Sequence, residues 1–171
     1  MPHRGIFFEK GQSFHILSRS VEGREVFGAE EDCYRFIFRL QAANLGSPAR
    51  NISHREIIKA GQALLNGQDI PEKLIIKEHP PSVHLIDFSL IVNHYHFYLV
   101  PNIEEGVPMF MKRLNGGFAK YFNLKHKRKG TLFASRYQAV LIKNEFQSDA
   151  VSRYVSIINP LDVFQPGLRE K

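Results

Sequence analysis

The stretch VHLIDFSLIVNHYHFYLVP, residues 83–101, constrains the fold more than any other part of the chain. It is rich in Ile, Val, Phe and Tyr, which favour strands, and it ends at Pro101, which cannot continue a central strand. It therefore predicts two strands or one long bent strand. His94 and His96 lie at its centre, among the apolar neighbours that are typical of a buried strand.

Hydrophobic periodicity predicts the elements on either side. Residues 13–20 have strand spacing, and residues 29–45 form a helical pattern with an acidic first turn, which suits the positive end of the helix dipole. Residues 46–78 have turn residues at both ends and the helical IIKAGQALL between them, which predicts an insertion with its own short helix. Residues 107–123 form an amphipathic helix. Its Gly116 and Gly117 indicate a bend, or a place where another backbone, such as a phosphate backbone, comes close.

Residues 131–143 alternate as a strand, and a last helix follows, with Ser148 as its predicted N-cap and Pro160 beyond its end. Its apolar positions are Val151, Tyr154, Val155 and Ile158. The order strand, helix, strand, strand, helix, strand, helix predicts an α+β fold. We expect a ferredoxin-like split βαβ sandwich, with an antiparallel sheet and helices mainly on one face. With 171 residues and no long linker, residues 1–171 are expected to form a single domain.

The composition bears on the cellular compartment and on the kinds of metal site that are possible. No apolar run approaches the roughly 20 residues of a membrane-spanning helix, and the first ten residues lack the features of a signal peptide. Cys33 is the single cysteine, so an internal disulfide and a four-cysteine zinc site are excluded. We therefore expect a cytoplasmic protein, in which a bound metal would use histidine, carboxylate or amide ligands.

The positive charge is concentrated in one segment. The formal net charge is +6, yet residues 112–143 contain nine basic residues and no Asp or Glu, so the rest of the chain sums to −3. Such a segment favours a polyanion, most often nucleic acid and sometimes an anionic membrane surface. A solvated basic face without a specific partner is equally compatible with the charge alone. The membrane-surface interpretation is weak, because no helix pairs a basic face with exposed apolar anchors.

The histidine pair has a chemical and a structural interpretation. Side chains alternate along a strand, so His94 and His96 share one face, from which both imidazoles could reach one ion, while Tyr95 points the other way. Alternatively, each imidazole bonds to a backbone carbonyl or a neighbour, and an isolated HxH pattern leaves both interpretations open. The remaining single histidines, including His15, are expected to be surface or core residues.

Five motifs, in order, resemble the IS200-like transposases, particularly the REP-associated tyrosine transposases of the HUH single-strand nuclease group. The motifs are FHILSRSVEGREVF, SLIVNHYHFYLVP, MKRLNGGFAKYFN, KRKGTLFASRYQAVLI and SRYVSIINP. The resemblance runs from about Ser13 to Pro160 and is least specific over the insertion. Three positions depart from the family pattern. No proline precedes the asparagine of VNHYH, Ser135 stands where glycine is frequent, and Ile158 stands where an amide or carboxylate is usual.

The resemblance implies a catalytic role for Tyr154 and a metal site at His94 and His96. The phenol would attack a phosphodiester of single-stranded DNA, leaving a 5′-phosphotyrosine and a free 3′-hydroxyl, and the cofactor would be Mg²⁺ or Mn²⁺. The family usually has an amide or carboxylate one helical turn after the tyrosine, but Ile158 occupies that position here, so Asn159 is the predicted third ligand. On position alone, Tyr154 is more typical of a core residue.

The resemblance also implies single-stranded or hairpin DNA as partner, no membrane, a monomer or a homodimer, and a cytoplasmic, nucleoid-associated location. The expected DNA contacts combine basic side chains with one aromatic. They are Arg113, Lys120, Lys125, Lys127, Arg128, Lys129, Arg136 and Tyr137. Phe122 and Phe133 are expected to lie in the core instead. The alternative function is a non-catalytic or domesticated nucleic-acid-binding domain of the same fold.

Overall fold

The computed structural model describes residues 6–134 and 136–158, the last two as backbone only. Within them, strands run over Ser13–Arg19 (β1), Val83–Ile91 (β2), His94–Pro101 (β3) and Gln138–Ile142 (β4). Helices run over Glu30–Asn44 (α1), His54–Leu65 (α2), Gly106–Lys125 (α3) and Glu145–Arg153 (α4), and a π-helical turn, Tyr154–Ile158, continues α4. None of the described helices has the length and apolar character needed to cross a membrane.

The four strands form one antiparallel sheet in the order β2-β3-β1-β4. The stretch 83–101 thus forms two strands joined at Val92 and Asn93, the first of the two predicted arrangements. Placing β3 between β1 and β2 is the split βαβ topology that the element order predicted. The α+β fold is therefore confirmed, with β1 and β3 as the two central strands.

One face of the sheet and the helices α1 and α3 enclose the main core. Alternate residues of the central strands point to this face, and the inner sides of both helices cover them. Each such side chain contributes on the order of 1.5–3 kcal/mol when fully buried. The completely buried members include Phe14, Ile16, Tyr95, Phe97, Leu99, Phe36, Phe110 and Leu114.

The insertion is docked onto α1. Ser53 caps α2 in a capping box with Glu56, which satisfies backbone donors at the helix start. Gly61 of α2 lies so close to the backbone of Tyr34 that a Cβ atom there would collide with it. Only glycine allows the two helices to approach this closely. A second, smaller core forms around them, from Phe38, Ala42, Ile57, Ala60 and Leu74.

Two predicted boundaries were wrong. The strand predicted over residues 131–143 is regular only as β4, and its first part makes one isolated bridge, from Phe133 to Ser20. The consecutive residues Leu132 and Phe133 are both buried, so this segment enters the core instead of lying flat on the sheet. The last helix begins at Glu145 rather than after Ser148, because the Asn144 side chain caps it by accepting a hydrogen bond from the Gln147 amide.

The glycine pair does not interrupt α3, and of the two predicted alternatives the structure shows a close approach, at Gly117. Helical hydrogen bonding continues from Gly106 to Lys125. The close approach is made by a side chain: a Cβ atom on Gly117 would collide with the guanidinium of Arg39, which lies against the helix. Apart from its own stretch of helix, Gly116 has no described atom within 4 Å of where its Cβ would lie.

We predict opposite outcomes for alanine at the two glycines. Gly116→Ala is expected to raise the free energy of unfolding by about 0.5–1 kcal/mol, because it adds helix propensity without a clash. Gly117→Ala gains the same propensity but must displace the Arg39 guanidinium, so its net effect is expected to be zero or negative. Urea denaturation of both variants measures the difference, and equal stabilisation by the two substitutions would contradict this role of Gly117.

Candidate active site

His94 and His96 lie on the sheet face opposite α1 and α3, as strand alternation predicted. Their ring centroids are 5.1 Å apart and the ring planes are inclined at 73°. Tyr95 points into the core on the other side, where its hydroxyl donates a hydrogen bond to Oδ1 of Asn115 over 2.5 Å. The imidazole pair therefore occupies the face over which α4 and the π-helical turn run.

Hydrogen bonds at Nδ1 define which ring nitrogens remain available. His94 Nδ1 lies 2.7 Å from Oδ1 of Asn93; because that oxygen only accepts, His94 Nδ1–H donates and Nε2 keeps its lone pair. His96 Nδ1 lies 2.9 Å from Nε2 of His15. His96 Nε2 is buried and has no hydrogen-bond partner among the described residues. If His96 Nδ1–H donates to His15, both Nε2 atoms are unprotonated, which is the form that coordinates a metal.

Burial holds both imidazoles in this neutral form. Desolvation, with a contribution from the Arg19 cation, lowers the pKa of His94 to about 4. Desolvation also lowers the pKa of His96 to about 3, with further contributions from His15, His94 and Arg19. The pKa of His15 is lowered by burial as well. At neutral pH, no proton has to leave these rings before a cation binds.

Tyr154 lies directly against His96 and His15 of its own chain. Its ring centroid is 5.4 Å from that of His96 and 6.2 Å from that of His15, with nearly perpendicular ring planes in both cases. The side chain is half-buried, in contrast to Val155, which is fully buried. The structure thus brings together the three residues predicted from the histidine motif and the C-terminal helix. It also adds His15, which sequence reasoning missed.

His15 was overlooked because it is a single histidine in the first strand. The signal is visible only once the strands are paired: Leu17 of β1 is opposite His96 of β3, so His15 and His96 share one face on neighbouring strands, two residues out of direct register. Cross-strand neighbours at this diagonal spacing are within reach of long side chains. A prediction of strand register would have found this contact.

Two side-chain hydrogen bonds fasten the segment that carries Tyr154 to the sheet. The hydroxyls of Tyr98 on β3 and Ser148 on α4 are 2.6 Å apart. Asp87 on β2 accepts a hydrogen bond from Ser156 in the π-helical turn. Because one contact precedes Tyr154 in sequence and the other follows it, they hold its ring against the histidines from both sides.

The predicted DNA-binding residues fall into two groups. Three of them already have partners within the protein: Arg113 bonds to His79 over 2.6 Å, Lys125 pairs with Asp32 over 2.7 Å, and the Arg128 guanidinium donates to Asn123. Their cations are partly used for internal contacts. The other basic members, Lys120, Lys127, Lys129 and Arg136, are exposed, and so is Lys125 despite its ion pair.

The aromatic residues of the basic segment are mostly structural. Phe122 and Phe133 are buried, as expected. Tyr137 is half-buried and packs against Phe8, with its ring centroid 6.4 Å away, so only part of its ring is available for stacking. The Tyr121 hydroxyl donates to Asp32 over 2.6 Å. Tyr121 is therefore held far from the histidine site, on α3.

The third metal ligand is outside the described part of the chain. Asn159 and Ser135 fall among the residues that the structure does not describe. Over residues 6–134 and 136–158, no group of three or more His, Cys, Asp or Glu side chains is placed to hold a metal ion. The role of Asn159 as third metal ligand therefore stays a prediction, whereas the positions of His94 and His96 are described.

The lowered histidine pKa values predict loss of stability in acid. Unfolded imidazoles titrate near 6.5. Below that value the histidines of the unfolded chain bind protons, whereas His94 and His96 of the folded protein stay neutral. The free energy of unfolding therefore falls as pH drops from about 6.5 towards 4. His96→Gln is expected to reduce this slope, whereas the exposed His84→Gln serves as the matched control. Urea denaturation near pH 7 and pH 5 with a chelator present measures the slopes, and an unchanged slope in His96→Gln would contradict the assignment.

Comparison with known proteins places the fold and the motifs in one family. A family model described as "Transposase IS200 like" matches residues 70–157, just over half of the 171 residues. A solved structure of a REP-associated tyrosine transposase bound to a REP hairpin aligns with a TM-score of 0.55 and 15% identity, over 95% of this chain and 74% of that chain. A protein from Deinococcus radiodurans R1, described provisionally as a transposase, aligns with a TM-score of 0.43 and 16% identity, over 90% and 94% of the two chains. No curated protein matches the sequence significantly. The chain belongs to the IS200-like transposase family.

Proposed function

We propose that this transposase cleaves and rejoins single-stranded DNA next to a hairpin, with Tyr154 as its nucleophile. The observation that carries the proposal is the position of the Tyr154 ring, 5.4 Å from the His96 ring within one chain. A half-buried phenol beside a pair of neutral imidazoles combines a nucleophile with groups that can hold an electrophilic centre. One chain supplies all of these groups, so a monomer is sufficient, and a homodimer would contain two such sites.

The reaction exchanges one phosphoester for another. The Tyr154 oxygen attacks phosphorus, its proton is lost, and the 3′ oxygen of the upstream strand leaves as a free hydroxyl. The downstream strand stays attached to the protein as a 5′-phosphotyrosine. Attack by a 3′-hydroxyl on this ester reverses the step and rejoins DNA, so strand transfer needs no external energy source. The contacts from Tyr98 to Ser148 and from Asp87 to Ser156 hold the attacking group in position.

A divalent cation, Mg²⁺ or Mn²⁺, would be held by His94 and His96, with Asn159 as the proposed third ligand. The residues fit such a group, because His96 Nε2 is a buried nitrogen without a described partner and the hydrogen bonds at Nδ1 leave both Nε2 atoms available. When bound, the cation would neutralise phosphate charge and favour loss of the phenol proton.

The charge of residues 112–143 and the ligand of the structural neighbour support DNA as the ligand of this chain. Residues 112–143 have no acidic residue, and five of the predicted contacts are exposed, namely Lys120, Lys125, Lys127, Lys129 and Arg136. The neighbouring REP-associated transposase was solved with a hairpin bound. We propose hairpin DNA with flanking single strand as the ligand, with phosphate contacts supplying most of the affinity.

Replacing the proposed nucleophile is expected to abolish covalent capture. Tyr154→Phe removes the hydroxyl but keeps the ring, so DNA binding should persist while the protein–DNA adduct disappears. The matched control is Tyr34→Phe, since Tyr34 donates its hydroxyl to Glu30 on the outer side of α1. A labelled hairpin with a flanking strand, incubated with Mn²⁺ and resolved on a denaturing gel, reports the adduct. Adduct formation by Tyr154→Phe would exclude this nucleophile, and a wild-type protein that binds tightly but never forms an adduct would favour the non-catalytic alternative.

Removing one histidine is expected to weaken cation binding separately from chemistry. In the Tyr154→Phe background, which holds DNA uncleaved, adding His94→Gln or His96→Gln should weaken Mn²⁺ binding at least tenfold, the order of loss seen when a ligand or its close support is removed. Adding His84→Gln should leave it unchanged, because that exposed side chain does not belong to the pair. Electron paramagnetic resonance of free Mn²⁺ gives the affinity, and equal affinities in all these proteins would contradict the proposed site.

A further inference from the structure

We propose that a cavity between α1, α3 and the start of the insertion binds a backbone phosphate of the DNA ligand. This inference deepens the proposed function, since it rests on DNA being the ligand and names a second place where DNA is held. The cavity has a volume of about 290 Å³. Residues 47–50 and Ile52 of the insertion line it, together with Phe38 of α1 and Phe118 of α3.

The charged side chains that line the cavity are all positive, although the Asp32 carboxylate lies behind one lining residue, Tyr121. Four cationic side chains line it, and none of the described lining residues is Asp or Glu. These cations are Arg35, Arg39, Arg50 and Lys120. Arg35 and Arg39 come from successive turns of α1, Lys120 comes from α3, and Arg50 comes from the insertion. Three separate parts of the chain therefore place positive charge around the same space, which favours an anionic ligand.

Arg39 is the most informative of the four. Its Nη2 donates to the backbone carbonyl of Arg113 over 3.2 Å, while its buried Nε has no hydrogen-bond partner among the described residues. Burial, together with the neighbouring cations Arg113 and Arg35, lowers the pKa of this guanidinium. A desolvated cation among other cations is unfavourable, and a phosphate in the cavity would supply the opposite charge.

Gly117 makes this arrangement possible. Any larger residue at this position would place its Cβ against the Arg39 guanidinium, so the glycine allows the side chain to lie along α3 at the edge of the cavity. The next basic residue on the same helix, Lys120, belongs both to the cavity and to the acid-free segment 112–143. The cavity thus continues the basic surface, which favours a phosphate of a long polyanion over an isolated carboxylate.

The cavity and the histidine pair lie on different sides of the sheet. Its helical walls cover the core face, whereas His94 and His96 point to the opposite face. A contact in the cavity would therefore change DNA affinity without touching the reacting atoms. The DNA ligand would contact the protein on both sides of the sheet, which a hairpin with a flanking strand is large enough to do.

The closing experiment measures binding in the absence of cleavage. In the Tyr154→Phe background, Arg39→Gln and, separately, the exposed Arg50→Gln are expected to weaken binding of a fluorescent hairpin with flanking strand. The loss should be roughly tenfold for Arg39→Gln, as for one charge-assisted contact, and each variant should reduce the salt slope of log K by about 1. The matched control is Lys59→Gln, which removes one exposed positive charge from α2 outside the cavity; its affinity should stay within about twofold. Fluorescence anisotropy over a range of salt concentrations gives both quantities.

The results separate this inference from the proposed function. Affinity equal to that of Lys59→Gln in both cavity variants would overturn the inference, and Arg50→Gln keeps that test valid even if Arg39→Gln folds poorly. Inorganic phosphate should raise the thermal midpoint of the wild-type protein more than that of Arg39→Gln. If phosphate does so while DNA affinity is unchanged in both variants, the cavity takes a free anion and the assignment to DNA is wrong. Covalent capture by Tyr154→Phe would instead overturn the nucleophile and leave the cavity untouched.

Discussion

The register between β1 and β3 is the constraint on which the site depends. It places Leu17 opposite His96 and thereby brings His15 to within 2.9 Å of His96 Nδ1. A slip of one residue would turn every side chain of β1 to the other face, removing His15 from the site and Ile16 from the core. The apolar residues of β1 fix the register because they must face α1 and α3. The same hydrophobic burial that stabilises the fold therefore orients the His96 ring.

The two faces of the sheet differ in character: one is packed against helices, and the opposite one carries the proposed site. One face is packed with aromatic and aliphatic side chains under α1 and α3. The opposite face carries polar atoms that are costly to bury, among them His96 Nε2 and Ser89 Oγ, which lie at paired positions of β3 and β2 and have no partner among the described residues. Unsatisfied polar groups of this kind cost on the order of 1–3 kcal/mol each. The large core offsets such costs, which also arise at Ser18 Oγ on the core face, and a ligand could supply the missing interaction at His96 Nε2.

The sequence predicted the element order, the histidine pair and Tyr154 because each depends on local patterns or on a recognisable motif. It did not predict His15, because that contact depends on strand register. The predicted start of the last helix was wrong, because Asn144 and Ser148 are both residue types that favour the N-cap position. Only tertiary packing distinguishes them, since the Ser148 hydroxyl forms a hydrogen bond with Tyr98. The sequence pattern also predicted residues 112–143 as one basic surface. In the structure, Arg113 forms a hydrogen bond with His79, and Lys125 forms an ion pair with Asp32. Both contacts join residues that are far apart in the sequence, so no local pattern could predict them.

The π-helical turn positions Tyr154, the proposed nucleophile. π-Helical turns are rare in proteins as a whole, but those that occur are often at functional sites, because the wider turn changes which side chains face a neighbour. Here it begins at Tyr154 and contains Ser156, whose contact with Asp87 anchors it to β2. A regular α-helix continued through this turn would rotate each following residue further around the axis, and Ser156 would face Asp87 differently. The turn therefore lets one short segment direct the Tyr154 ring to the histidines, bury Val155 and reach the edge strand at the same time.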